Sequence, residues 1–247
     1  MRTKRVIAQT KFETISVLRN GEQLLLSLIL PLGMLIFLAK TPLLGALGLV
    51  PEGTDPLTDP LTVALPGALS LCLASTAFTG QAIATAFDRR YGVLRQLATT
   101  PLGANGLILG KLGAVITVVI IQFLLAFAIA LGLGFDGPVN AFALILTTLL
   151  GTAALLSLGL LMAGTVRAEA TLAGANLIWV LMAGVGGLVI AHPGEWGTVV
   201  GYLPSGALGD AMRAAVGGAG FDIKALIVLL VWGLLGTLAA RRWFRFE

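Results

Sequence analysis

The chain has 247 residues, 57% of them hydrophobic and only 11% charged, with a net charge of +4. Soluble domains are about 45–50% apolar and about 25% charged, so charge here is too sparse to cover a globule of this size; a soluble enzyme, a disordered chain and a fibrous repeat are excluded. A single cysteine, Cys72, excludes an internal disulfide, and a single histidine, His192, argues against a histidine-built metal site.

What remains is a polytopic membrane protein, expected to be all-α and one domain over residues 1–247. It opens on residues 3–20, where Ala8, Phe12, Ile15 and Leu18 recur at near-helical spacing among Lys and Arg residues. That pattern predicts an amphipathic helix in the membrane interface, within residues 1–21; the alternative is a basic stretch that only sets topology. Six apolar stretches follow, near 23–39, 61–87, 107–135, 141–163, 170–191 and 223–240. Each approaches or exceeds the roughly 20 residues that a span needs. They are continuously apolar rather than alternating, so they are read as helices, which satisfy their own backbone groups in lipid. The first begins past residue 20, contains Pro31 and precedes no small-x-small site, so it is read as a span rather than a removable signal. Residues 41–60 are rich in Pro and Gly and read as a loop. Residues 191–222 carry His192, Pro193, Trp196 and Pro204 yet stay apolar, which predicts short helices re-entering the outer leaflet.

Six spans place both termini on one side. Thirteen of the 16 basic residues fall there, including Arg2, Lys4, Arg5, Arg89, Arg90, Arg95, Lys111, Arg167 and Arg241. The other side holds Lys40, Arg213 and Lys224 among seven acids. Cytoplasmic segments carry the excess of Lys and Arg, so both termini are expected in the cytoplasm. In a soluble chain a pI of about 9.6 would suggest nucleic acid; here the placement of the charges accounts for it, and no nucleic-acid partner is expected.

No catalytic constellation stands out. There is no Ser/His pair within the bilayer, no Cys/His cluster and no phosphate loop: Gly106 to Lys111 has the wrong spacing and no hydroxyl after the lysine. Glycines so close together in an apolar helix more often serve packing. Every charge lies near a span end, and the middles offer only amides, hydroxyls and aromatics. A proton-driven carrier wants an ionisable group at mid-depth, so the energy for any transport should come from a partner.

The connection at 86–102 is the richest segment. It joins Asp88, Arg89, Arg90 and Arg95 to an apolar set, Tyr91, Leu94 and Leu97, and ends on Pro101 and Leu102. An amphipathic helix docking into a soluble partner needs such a set; an interfacial helix lying on lipid has the same periodicity. Together with the stretches from Thr171 to Met182 and from Leu203 to Arg213, this segment resembles the permease subunit of type-2 ABC transporters, the group that includes daunorubicin-resistance-type drug exporters. The order of elements along the chain is also similar.

The resemblance implies that 86–102 is the coupling helix, with Asp88, Arg89, Arg90, Tyr91, Leu94, Arg95, Leu97 and Pro101 contacting an ATPase. The family's segment often has an acid where Tyr91 stands, so no particular salt bridge is carried over. The resemblance further implies a permease dimer, homomeric or with a related permease, above two ATP-binding subunits. Those subunits would bind ATP and Mg, and this chain would bind no cofactor. A substrate path between the second and fifth spans at the dimer interface would make Thr76, Thr79, Gln81, Asn176 and Trp179 its candidate residues. Arg213 and Asp210 are expected to cap the outer half-helices. The function expected is the membrane half of an ATP-driven exporter of amphipathic drugs or antibiotics at the plasma membrane. A lipid or glycolipid exporter is the alternative within transport, a scaffold or immunity protein the alternative from another class, and an intramembrane enzyme a third.

Overall fold

A computed structural model describes residues 2–41, 43, 60–98 and 103–244, and among these the chain is helical, with no strand. Helix α1 (Arg2–Arg19) leads into α2 (Gly21–Lys40), α3 (Leu61–Arg90), α4 (Val93–Ala98), α5 (Gly103–Gly132) and α6 (Ala141–Thr165). Then come α7 (Ala168–Gly184), α8 (Gly194–Val200), α9 (Pro204–Val216) and α10 (Ile223–Trp243). Five of these, α2, α3, α5, α6 and α10, are long and apolar enough to cross a membrane. The expected loop at 41–60 lies almost wholly outside the described residues.

The fifth expected span differs from its reading. The apolar run continues to residue 191, but α7 has 17 residues and ends at Gly184, the short end of what a span requires. Gly187 then takes a positive φ of 71° and the chain folds back, burying Leu188 and Val189. A Cβ on Gly67 of α3 would lie 2.9 Å from Val189 Cγ1. The end of that run is apolar because it packs inside the subunit, not because it faces lipid.

Helix α3 is the centre. Nearly every side chain from Leu61 to Phe78 is buried, against α2, α5, α6, α7 and α9. Helices α2 and α10 lie at the periphery, with Phe37, Leu234 and Leu238 exposed, as lipid-facing positions are. Two helices contain π-turns, Leu25–Ile29 in α2 and Ser75–Gly80 in α3, and the two turns touch. A π-turn shifts backbone groups out of the regular ladder. Gln122 of α5 donates from Nε2 to the Ser27 carbonyl at 2.7 Å, and it also bonds Thr76 Oγ1 at 2.9 Å.

Small residues set two close crossings. A Cβ on Gly110 of α5 would meet Gln9 Cγ at 2.5 Å, and one on Gly113 would meet Thr10 Oγ1 at 2.6 Å, so α1 packs directly on α5. The apolar stripe of α1, with Phe12, Ile15 and Leu18, stays exposed on its other side. Gly159 of α6 faces the Phe78 carbonyl, 2.8 Å from where its Cβ would be. The region 191–222 folds as α8 and α9, and α9 enters the bundle against α3, α6 and α10.

Candidate functional site

Three consecutive residues end α3, and each ties it to a different element. Asp88 Oδ2 accepts from Lys111 Nζ of α5 at 3.0 Å, and Lys111 pairs in turn with Glu13 of α1 at 3.2 Å. Arg89 Nη2 donates to the Val166 carbonyl, between α6 and α7, at 2.6 Å. Arg90 pairs with Glu169 in the first turn of α7. Lys111 is 2% exposed in a helix with no other charged residue. Burying one ammonium without partners costs several kcal/mol, and the two carboxylates offset that cost. Glu13 reaches it because Gly110 and Gly113 admit α1, and Gln9 Nε2 steadies Glu13 Oε1 at 3.0 Å. The result is a charged junction of α1, α3, α5 and the turn before α7.

Beyond the junction, Gly92 with φ of 74° breaks the helix and α4 begins. Tyr91 is 69% exposed, its ring stacked on Phe87 at a centroid distance of 6.0 Å and lying 5.8 Å from the Arg90 guanidinium. Arg95 is exposed, whereas Leu94 is buried in the bundle. The segment therefore has two faces: Leu94 anchors it, and Tyr91 and Arg95 face outward. Pro101 and the side chain of Leu97 lie outside the described residues.

Two cavities flank the junction. One of about 430 Å³ lies among α5, α6 and α10 and is reached by Leu94, Lys111 and Arg241. The other, of about 410 Å³, lies between α2 and α3 and is reached by Glu22, Thr79 and Asp88. Lys111 lines the first and its partner Asp88 the second, so the ion pair stands between them.

The family model of ABC-2 family transporter proteins matches residues 55–242. The chain belongs to the ABC-2 transporter family. Comparison with curated proteins and with solved structures returned no match. An ABC-2 permease is the membrane-spanning subunit of an ABC transporter complex and works with a separate ATP-binding subunit. Asp88, Lys111 and Glu169 of the junction lie within the matched region of this permease, and Glu13 lies before it.

The expected pathway residues are distributed unevenly. In this ABC-2 permease α3 and α7, the second and fifth apolar helices, pack together along the part of α3 that carries Thr79 and Gln81. Both side chains are buried, and the Thr79 hydroxyl and Gln81 Oε1 have no hydrogen-bond partner among the described residues. Trp179 is buried, its indole N–H without a hydrogen-bond partner among the described residues, and Asn176 is half-buried on α7. Thr76 sits apart, hydrogen-bonded to Gln122 inside the subunit. Arg213 does not cap a helix alone: it donates to the Gly187 carbonyl at 3.0 Å and the Val189 carbonyl at 3.2 Å and pairs with Asp210 at 2.7 Å, pinning the segment after α7.

Sequence reasoning missed Lys111 and Glu13 as partners. Lys111 reads as a span-edge charge when the apolar run is counted from residue 107. The helix begins at Gly103, which puts Lys111 more than two turns inside it. The available signal was a lysine between two glycines, Gly110 and Gly113, in a run that tolerates no other charge.

Proposed function

We propose that this permease is the membrane half of an ATP-driven exporter that moves amphipathic drugs, antibiotics or lipids out of the cytoplasm. It sits in the plasma membrane with both termini inside, paired with a second copy or a related permease. Two ATP-binding subunits, carrying ATP and Mg, dock beneath it on the outward face of the segment at 86–102. The chain supplies no hydrolytic site of its own.

The observation that carries this reading is the triple tie at the end of α3. A partner that grips Tyr91 and Arg95 moves a short helix whose root is bonded at once to α1, α5 and the turn leading into α7. One push is therefore shared by several helices of the bundle instead of being lost in a loose loop. The basic character of that end supports the cytoplasmic placement.

The test is a pull-down of the tagged chain from its native membrane, with mass spectrometry and an ATPase assay on what accompanies it. A stoichiometric ATP-binding subunit is expected. Its absence, with the assembly held by crosslinking, would move the reading to a scaffold that docks a different partner. Within the complex, Arg95→Glu should leave insertion intact and reduce substrate-stimulated hydrolysis about tenfold or more, the scale of a like-charge contact created at an interface. Arg95 is the informative position because it is exposed; Leu94→Asp would disturb the bundle as well as the docking surface. Normal export by Arg95→Glu and Tyr91→Ala would remove the segment from the coupling path.

A further inference from the structure

Helix α1 sorts its charges by face. Gln9, Thr10, Glu13 and Val17 fall on one side of a helix that turns about 100° per residue. Gln9 lies against Gly110, Thr10 against Gly113 and Glu13 against Lys111, and Val17 is buried. Glu13 is the one acid of α1, and it faces inward. Lys4, Arg5, Lys11 and Arg19 are all exposed. Among the described residues Lys4, Lys11 and Arg19 make no ion pair. The next acid along the chain, Glu22, lies beyond the helix break at Asn20. The outward face of α1 is therefore basic, with no carboxylate of its own helix to neutralise it.

Large apolar side chains share that face. Phe12 is 66% exposed and Ile7 61%, with Ile15 and Leu18 beside them. Phe12 follows Lys11 and Leu18 precedes Arg19, so cations and apolar groups interleave. Long basic side chains lay their stems along apolar surface while their heads reach outward. On α5, Ile108 and Leu109 next to Gly110 are exposed as well, within a helix apolar and long enough to cross a membrane. The apolar groups of α1 thus continue a surface that faces hydrocarbon. An acidic groove on a protein would match the cations but not that continuity. A bilayer surface of anionic lipid matches both, because acyl chains take the apolar groups and headgroup phosphates the cations.

We propose that the outward face of α1 docks on anionic lipid at the headgroup level, and that this lipid controls the junction on the inner face. Lys111 joins Glu13 of α1 to Asp88, which stands at the root of α4. Lipid that grips α1 holds Glu13 on Lys111. When α1 is released, Glu13 withdraws and Lys111 stays on Asp88 alone. A zwitterionic leaflet supplies only the apolar half of the grip. The docking stands on α1 by itself; its effect on ATP hydrolysis rests on the permease reading.

The test places a fluorophore on the full chain through Ala8→Cys, an exposed position of α1; the native Cys72 is buried and stays unlabelled. Nanodiscs are made of equal parts phosphatidylcholine and phosphatidylglycerol, with a quenching nitroxide on the acyl chains of one lipid or the other. Each Lys or Arg near an anionic surface favours it about fivefold, so spin-labelled phosphatidylglycerol should quench at least about twofold more than spin-labelled phosphatidylcholine. Lys4→Gln, Lys11→Gln and Arg19→Gln together should bring the two lipids level at an unchanged melting temperature, because all three residues are exposed. Phe12→Ser with Ile15→Ser should lessen quenching by both lipids. With a co-purified ATP-binding subunit, hydrolysis should rise at least about twofold when phosphatidylglycerol is added to phosphatidylcholine nanodiscs, and the charge variant should lose that rise. Equal quenching by the two lipids overturns the anionic docking. No quenching by either overturns docking on a membrane altogether and leaves a protein or water on that face. A quenching difference without any lipid dependence of hydrolysis keeps the docking and overturns its control of the junction. Absence of an ATP-binding subunit overturns the exporter reading and leaves the quenching result to decide the docking.

Discussion

The two ends of the bundle are held by opposite means. At the end where α1 meets α3 and α5, the ties are side chains: Lys111 between Glu13 and Asp88, Arg89 on a carbonyl, Arg90 on Glu169. At the other end, Arg213 apart, the ties are backbone. Gly209 of α9 faces the Leu188 carbonyl, 2.8 Å from where its Cβ would be. Asn140 N–H bonds the Ala215 carbonyl at 2.8 Å, and Gly220 N–H bonds that of Ala214 at 2.9 Å. Long side chains keep a contact while their roots shift; backbone against backbone has no such slack. If a push enters beside α4, as proposed above, the charged end has the slack to take it up and the opposite end does not.

The largest effect that would break this comparison is Lys111→Met. It strands Glu13 and Asp88 beside each other, and breaking a buried pair costs about 3–5 kcal/mol; the partial exposure of Asp88 favours the lower figure. A fall in melting temperature in nanodiscs should be largely recovered when Glu13→Gln and Asp88→Asn are added, because the site then holds no charge. If Lys111→Met alone melts like the parent, the junction is not held by charge. Next is Gly209→Ala at the opposite end, expected to cost about 1–3 kcal/mol by overpacking. Its loss should be the same at low and high salt, since no charge is involved.

Arg213→Lys should follow at about 1 kcal/mol, because a lysine cannot hold the Gly187 and Val189 carbonyls and Asp210 with one planar fork. Hydrogen exchange at residues 185–190 is the sensitive measurement, and faster exchange confined there is the expected result. Smallest is Arg90→Ala. The pair with Glu169 is largely exposed, so it should contribute under about 1 kcal/mol and vanish in high salt. A larger, salt-independent loss would mean that the exposed tie carries more of the junction than its accessibility allows.

Much of this was legible in the chain itself. The apolar runs at 61–87 and 141–163 predict α3 and α6 to within a few residues, because lipid forces a spanning run to be long, apolar and helical. The Gly- and charge-bearing segment at 86–102 announces itself by a pattern that no span needs. Arg95 and Tyr91 are exposed there, and Leu94 is buried. The run at 170–191 misleads for a stated reason: Leu188 and Val189 are as apolar as a lipid-facing residue but are buried by α3 and its neighbours. Hydropathy does not distinguish burial in protein from burial in lipid.

Local chemistry alone settles that this is a helical membrane protein, where its apolar helices fall and which connection is unusual, since each of those depends on residues close together in the chain. Partnership depends on how the helices come together. Glu13 and Lys111 stand 98 positions apart, Arg90 and Glu169 stand 79 apart, and Thr76 meets Gln122 across 46. No periodicity spans such distances. Glycines on α5 bring α1 to within reach of Lys111, and the π-turns of α2 and α3 leave a crevice between them. Those are consequences of packing, and only the assembled bundle contains them.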